Sequence, residues 1–206
     1  IVSRQRNIRR KAIAIREIRP TGVMATSLYQ AAYVDVIRAW SDAMPAVNAE
    51  YERSLSALQT DSAVDLGQFI THTDGLITRL LILIHPALRE AAERIERWHR
   101  GKWRGAILTA TGVDIQVLIG PEAARETIAA FVERNAGLVR SVSDEIRRRI
   151  ETAAFQGLSQ RKPARDVARE ISVATGLGRK RALRIASDQM SKLAGELDRE
   201  RRREAG

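Results

Sequence analysis

The side chains best suited to binding a ligand are arginines and lysines that cluster towards both ends of the chain. Guanidinium and ammonium groups bind phosphate and carboxylate oxygens, so these clusters suit nucleic acid or an acidic protein surface. We predict such contacts for Arg4, Arg6, Arg9, Arg10, Lys11, Arg179, Lys180, Arg181, Arg184, Arg201, Arg202 and Arg203.

The distribution of charge supports this prediction. The formal net charge of the 206 residues is +10. Residues 1–19 carry a net +6, residues 20–139 a net −3, and residues 140–206 a net +7. Two basic ends flanking a mildly acidic middle favour a polyanionic partner. Arginines that only solvate helix faces are the alternative explanation for any single one of them.

Residues typical of catalysis or metal binding are scarce. Cysteine is absent, and the three histidines, His72, His85 and His99, do not stand at metal-ligand spacing. His72 and Asp74 could form a base–carboxylate pair, but side chains at i and i+2 of a helix do not face each other. A polar helix end is the favoured interpretation of both. We predict no enzyme activity, no cofactor and no metal site.

Two other motifs could contact phosphate. Gly176-Leu177-Gly178-Arg179-Lys180 resembles a phosphate loop but lacks the preceding strand, so we favour a turn between helices. The stretch from Pro163 to Ser187 has the length of two short helices joined at that glycine turn. A helix-turn-helix DNA-binding regulator using residues 163–187 is therefore the alternative function, with Arg179 at the start of the second helix.

The elements that must position these side chains are predicted to be helices. Apolar residues recur at helical spacing, and only 4% of residues are aromatic. We predict an all-α fold, an elongated multi-helix bundle. Pro45 and Pro86 are expected to interrupt helices, and Gly137, Gly157 and the glycines at 176–178 to end them. A long basic helix is expected to run from Arg179 to about Arg203.

Glycines change the pattern over residues 101–120, where we predict an irregular loop region. Residues 113–119 alternate and could form a short strand; a structured loop packed on the bundle is the other possibility. A boundary here gives three parts: a basic N-terminal arm over 1–19, a helical domain over 20–100 and a second helical domain over 101–206. No apolar run is long enough for a membrane span. The start at Ile1 and the end at Gly206 suggest a truncated chain.

From about residue 100 to 200 the sequence resembles the phage head-morphogenesis family, the Mu F-like minor head proteins. The family shows a Phe-containing helix with an Asn before an apolar pair, a Gly-x-Ser turn, a further helix and an Arg-Ala-x-x-Ile-Ala segment. The matching residues are Phe131, Asn135, Leu138, Val139, Gly157, Ser159, Val167, Ala168, Ile171, Arg181, Ala182, Ile185 and Ala186. Ser187-Asp188-Gln189 departs from the Arg-Thr-Glu of the family.

The resemblance implies a structural virion protein that acts in head assembly or genome delivery. Such a protein is multi-copy, lies in the phage head near the portal vertex, and is in the host cytoplasm during assembly. Its expected partners are the portal protein, the major capsid protein, or both, and double-stranded DNA bound without sequence specificity. Some relatives are fused to toxin or hydrolytic domains, so an enzyme remains a third hypothesis. The scattered histidines argue against it.

Overall fold

Five α-helices form the protein in a computed structural model that describes residues 15–57, 62–114 and 121–204. They are α1 (Gly22–Ala32), α2 (Val34–Ala57), α3 (Ser62–Thr111), α4 (Pro121–Gln160) and α5 (Ala164–Glu204). These residues contain no strand, so the all-α prediction is confirmed. The predicted contacts from Arg4 to Lys11 lie outside the described residues, as does most of the possible strand, residues 115–119.

The helices run through most of the predicted breaks. Pro45 lies inside α2 and Pro86 inside α3, each exposed between buried neighbours. A proline costs its helix a hydrogen bond, but apolar burial on both sides, as at Met44 and Val47, holds the helix in register. The predicted ends at Gly137 and Gly157 are likewise wrong, because α4 continues to Gln160.

The predicted irregular region begins later than residue 101. Helix α3 continues to Thr111, because Trp103 and Ile107 are buried and keep its last turns packed. Gly112 then ends the helix with φ +70°, a left-handed conformation that glycine adopts without strain. Its N–H donates to the carbonyl oxygen of Leu108 at 2.8 Å, which satisfies one of the last carbonyls of the helix.

One core of buried apolar side chains is shared by all five helices. The predicted boundary between residues 100 and 101 falls inside α3, and the ranges on either side contribute to this common core. Trp40 on α2 is fully buried, and its indole Nε1 donates to the hydroxyl of Ser143 on α4 at 2.9 Å. Contacts of this kind join residues 20–100 and 101–204 into one bundle.

Helices α4 and α5 form an antiparallel hairpin with a tight connection at residues 161–163. The Tyr51 hydroxyl donates to the carbonyl oxygen of Lys162 at 2.9 Å and fixes that connection to α2. Gly157, in the last turns of α4, lies against this point. A Cβ at Gly157 would stand 2.5 Å from Cγ2 of Val167 and 2.8 Å from the Tyr51 hydroxyl. The glycine is therefore needed for close packing rather than for ending a helix.

Gly157→Ala is expected to lower the free energy of unfolding by about 1–3 kcal/mol, because the stiff Val167 side chain cannot yield easily to the added methyl. Gly137→Ala is the matched control in the same helix, where a Cβ meets open space. It should raise stability by about 0.5–1 kcal/mol through helix propensity. Urea unfolding followed by circular dichroism measures both. A Gly157→Ala protein as stable as the wild type would contradict the packing argument.

Candidate nucleic-acid interface

The middle of α5 is basic and contains no acidic residue. Between Ile171 and Ser187 the helix has no Asp or Glu, and it carries Arg179, Lys180, Arg181 and Arg184. Arg179 and Lys180 therefore have no carboxylate three or four residues away along the helix, the spacing at which helical ion pairs form. Their charges are compensated only if another helix or a ligand supplies an anion.

Three of the four cations are solvent-facing and unpaired. Arg179, Lys180 and Arg184 are exposed, and none forms a hydrogen bond or ion pair with another described residue. Asp188 follows Arg184 by four residues but pairs with Lys192, with 2.8 Å between Oδ2 and Nζ. Arg165, near the start of α5, is also exposed and has no described partner. It is not among the contacts predicted from the sequence.

These four residues lie on one face of the helix. At 100° per residue, Arg165, Arg179, Lys180 and Arg184 fall within an arc of about 140°. The buried Ala182 and Ala186 lie outside this arc and pack on the bundle. The face, which we call the free basic face, is about 28 Å long at the helical rise per residue. It can meet several phosphates along a duplex at once.

Arg181 belongs to the bundle rather than to the free basic face. Its guanidinium donates to the hydroxyl of Ser141 at 3.0 Å and to the Ser141 carbonyl oxygen at 3.3 Å, and it pairs with Glu145. All of these acceptors are on α4. The donors of Arg181 thus join α5 to α4, and its contact with a polyanion stays a prediction.

Arg201 is buried, so its predicted surface contact is wrong. Only 3% of the residue is exposed, and its Nη2 lies 2.8 Å from Oε1 of Glu96 on α3. Its Nη1 also contacts Nδ1 of His99, a fully buried residue one turn further along α3. The reason is tertiary: the end of α5 packs on α3, and Arg201 is turned towards that interface.

The two following arginines are exposed but compensated. Arg202 Nε donates to Oδ2 of Asp198 at 2.8 Å, and its Nη2 donates to the carbonyl oxygen of Ile15 at 3.3 Å. Arg203 pairs with Glu200, with 3.3 Å between Nη1 and Oε1. Acidic residues one turn earlier along α5 thus neutralise the basic C-terminal cluster. Of the residues predicted from the sequence, those within the described part of the chain, from Arg179 to Arg203, are not brought together into one site.

The glycine turn predicted over residues 176–178 is wrong, because α5 is one continuous helix. A Cβ on Gly178 would stand 2.6 Å from Cδ1 of Ile146, so this glycine lets α5 approach α4 closely. A helix-turn-helix unit needs two helices that cross at a turn, and residues 164–187 form none. A phosphate loop is excluded at this position for the same reason.

The remaining titratable groups do not assemble a metal centre within residues 15–57, 62–114 and 121–204. His72 and His85 are exposed, and no three His, Asp or Glu side chains there could hold a metal ion together. Asp74 instead faces Arg147 of α4 at 3.8 Å. Within the same residues, no helix has an apolar stretch long enough to cross a membrane.

The residues that carry the family resemblance are mainly core residues. Phe131, Asn135, Val139, Ile171 and Ala182 are all buried, and the Asn135 amide donates to the carbonyl oxygen of Phe131 at 2.8 Å. The pattern they form therefore describes how α4 and α5 pack, not a binding surface. Compared with models of protein families, with curated proteins and with solved structures, the chain shows no match.

Proposed function

We propose that this protein is a structural phage virion protein, a minor head protein without enzymatic activity. Its helical bundle associates with the portal protein or the major capsid. Its free basic face holds packaged double-stranded DNA without reading the sequence. The protein acts in head assembly or genome delivery, first in the host cytoplasm and then inside the head, in several copies. The resemblance of residues 100–200 to head-morphogenesis proteins supplies the viral context.

The observation that carries the DNA contact is the unpaired charge at Arg179, Lys180 and Arg184. At a little over half of the other arginines in the described part of the chain a carboxylate lies within ion-pair distance, as at Arg38, Arg53 and Arg94. An arginine already paired with a carboxylate must break that pair before it binds a phosphate. Unpaired cations on a rigid helix bind phosphate without that cost, and they release counterions from DNA.

Non-specific binding follows from the shape of the face. It is the exposed side of a helix packed on its other side against the bundle, with no second helix crossing it at a turn. Lysine and arginine on such a surface reach phosphates, which position a protein on DNA but carry no sequence information. A protein that must bind a packaged genome at any sequence needs such phosphate contacts rather than contacts with bases.

The test replaces Arg179, Lys180 and Arg184 with Gln in the full chain and measures binding to a duplex by fluorescence anisotropy. The triple variant should bind about 10- to 30-fold more weakly near 100 mM salt. The slope of log K against log salt should become shallower by about 2.7, because each lost phosphate contact removes about 0.9. Scrambling the duplex sequence should change neither quantity.

A second triple variant serves as the charge-matched control. Arg38→Gln, Arg53→Gln and Arg94→Gln also remove three positive charges, but each of these arginines is paired with a carboxylate on its own helix. This control should retain most of the affinity and slope. Equal losses in both triple variants would show that net charge alone matters and would overturn the assignment to α5.

The virion role has its own test. The protein should be found in purified heads of the phage that encodes it, and it should bind the isolated portal in a pull-down experiment. Absence from heads together with no portal binding would reject the minor head protein while leaving any DNA binding intact.

A further inference from the structure

A groove of about 600 Å³ runs between α4 and α5 beside the hairpin connection. Ala153 and Ala174 form its floor, and their small side chains leave the space between the two helices open. Val173 and Leu177 form the wall on α5, although 55% and 38% of these residues are exposed to solvent. Exposed aliphatic side chains above an alanine floor suit an apolar occupant.

The acidic groups that line the groove are already neutralised. Glu145 accepts from Arg149 at 2.8 Å and also pairs with Arg181. The hydrogen bond from Arg149 and the charges of both arginines hold the pKa of Glu145 below its usual range, so it is ionised and compensated. Glu170 pairs with Lys162, with 2.8 Å between Oε1 and Nζ.

Uncompensated positive charge remains at the rim. Arg148 is exposed, and its Nε donates only to a backbone oxygen, that of Asp144, at 3.3 Å. On α5, Val173 and Leu177 line the opposite wall. Lys180 lies one turn beyond Leu177 on the same stripe, at i+7 from Val173. Lys180 has no described partner. An apolar strip therefore lies between free cations on both sides.

We infer that this groove binds an acidic amphipathic helix of a partner protein. Its apolar side chains lie on Ala153, Val173 and Leu177, and its carboxylates face Arg148 and Lys180. The groove follows α4 from Glu145 to Gln156, about 17 Å or three turns of helix. Apolar side chains at i, i+4 and i+7 of one helix cover that length.

Complementarity of charge selects this occupant over two others. A second copy of the chain carries a net +10 and would bring arginines towards arginines. Duplex DNA has no aliphatic surface to cover Val173 and Leu177. None of the residues that line the groove is one of the four that define the free basic face. Peptide binding in the groove can therefore be tested separately from the proposed DNA binding.

The probe is a synthetic 15-residue helical peptide with Leu at i, i+4, i+7 and i+11 and Glu at the flanking positions. The peptide carries fluorescein and is titrated with the full chain. It should bind saturably, and Leu177→Asp should weaken binding about 10-fold or more. Arg148→Glu should weaken it on the order of 5-fold, because the rim charge changes sign. The same peptide with Lys in place of Glu should not bind.

Leu183→Asp is the matched control, because Leu183 is also 38% exposed on α5 but does not line the groove. It should bind the acidic peptide as the wild type does. Arg148→Glu alters an exposed side chain, so it tests the groove even if Leu177→Asp loses helicity by circular dichroism. The inference is overturned if the wild type shows no binding at about 100 µM, if Leu183→Asp weakens binding as much as Leu177→Asp, or if both peptides bind equally.

Discussion

Replacing Arg201 with Met is expected to lower the free energy of unfolding by about 3 kcal/mol, the lower end of the cost of breaking a buried ion pair. The guanidinium is enclosed between α5 and α3 and donates to Glu96 and its carbonyl oxygen. Met fills much of the volume but leaves the Glu96 carboxylate without its buried partner. Glu96 retains Arg100 at 3.4 Å, which limits the loss.

Arg203→Met is the control for this prediction. Arg203 lies half a turn further along α5, is exposed, and pairs with Glu200, so its loss should cost less than about 0.5 kcal/mol. Adding Glu96→Leu to Arg201→Met should restore part of the stability, because no buried charge then remains unpaired. Chemical unfolding of the wild type, the two Met variants and the double variant gives the change in the free energy of unfolding for each variant. Equal costs for the two Met variants would mean that Arg201 is not held as described.

The second expected result is a loss of stability in mild acid caused by His99. The pKa of His99 is lowered from 6.5 to about 4, chiefly by burial and secondly by the charge of Arg201, while Asp198 opposes the change. The unfolded chain therefore binds the proton first as pH falls. Stability contributed by the neutral imidazole is complete above about pH 7, decreases from pH 6.5 towards 4, and levels off below 4.

Because of His99, the free energy of unfolding should fall by about 1.4 kcal/mol between pH 7.5 and 5.5 and by about 3 kcal/mol by pH 4. Urea unfolding at a series of pH values measures it. His99→Gln keeps an acceptor for Arg201 but cannot titrate, so its curve should be flatter between pH 7.5 and 5.5. His85→Gln removes an exposed imidazole from the same helix and should keep the wild-type curve. A His99→Gln curve as steep as the wild type would assign the acid sensitivity elsewhere.

Both effects arise where α3 packs against α5. Paired arginines such as Arg201 and Arg181 hold the helices together, whereas unpaired ones at Arg179 and Arg184 face solvent. In a test of the proposed DNA binding, substitutions that unfold the bundle can thus be told apart from substitutions that remove a proposed phosphate contact. Comparing the stability of each variant with its affinity makes that distinction directly.

The amino-acid sequence alone determined the helical nature of the chain and much of its core. Apolar residues at helical spacing such as Val167, Ile171 and Ala182 are all buried, as the pattern of an amphipathic helix requires. Pro121 begins α4 and Pro163 directly precedes α5, in keeping with the preference of the proline ring for helix starts. These features depend on side-chain periodicity and on the proline ring, which act within a few residues and are visible in any sequence.

The tertiary structure alone decided where helices continue and which arginines are free. From the sequence alone, Gly157 and Gly178 are predicted to end helices. In the structure both lie inside helices, packed so closely against Val167 and Ile146 that an added Cβ would clash. Arg179 and Arg201 are the same residue type on the same helix, yet one is solvated and the other is buried against Glu96. The partners lie up to 105 positions away in sequence. Only the packing of α3, α4 and α5 brings those charges within reach of each other.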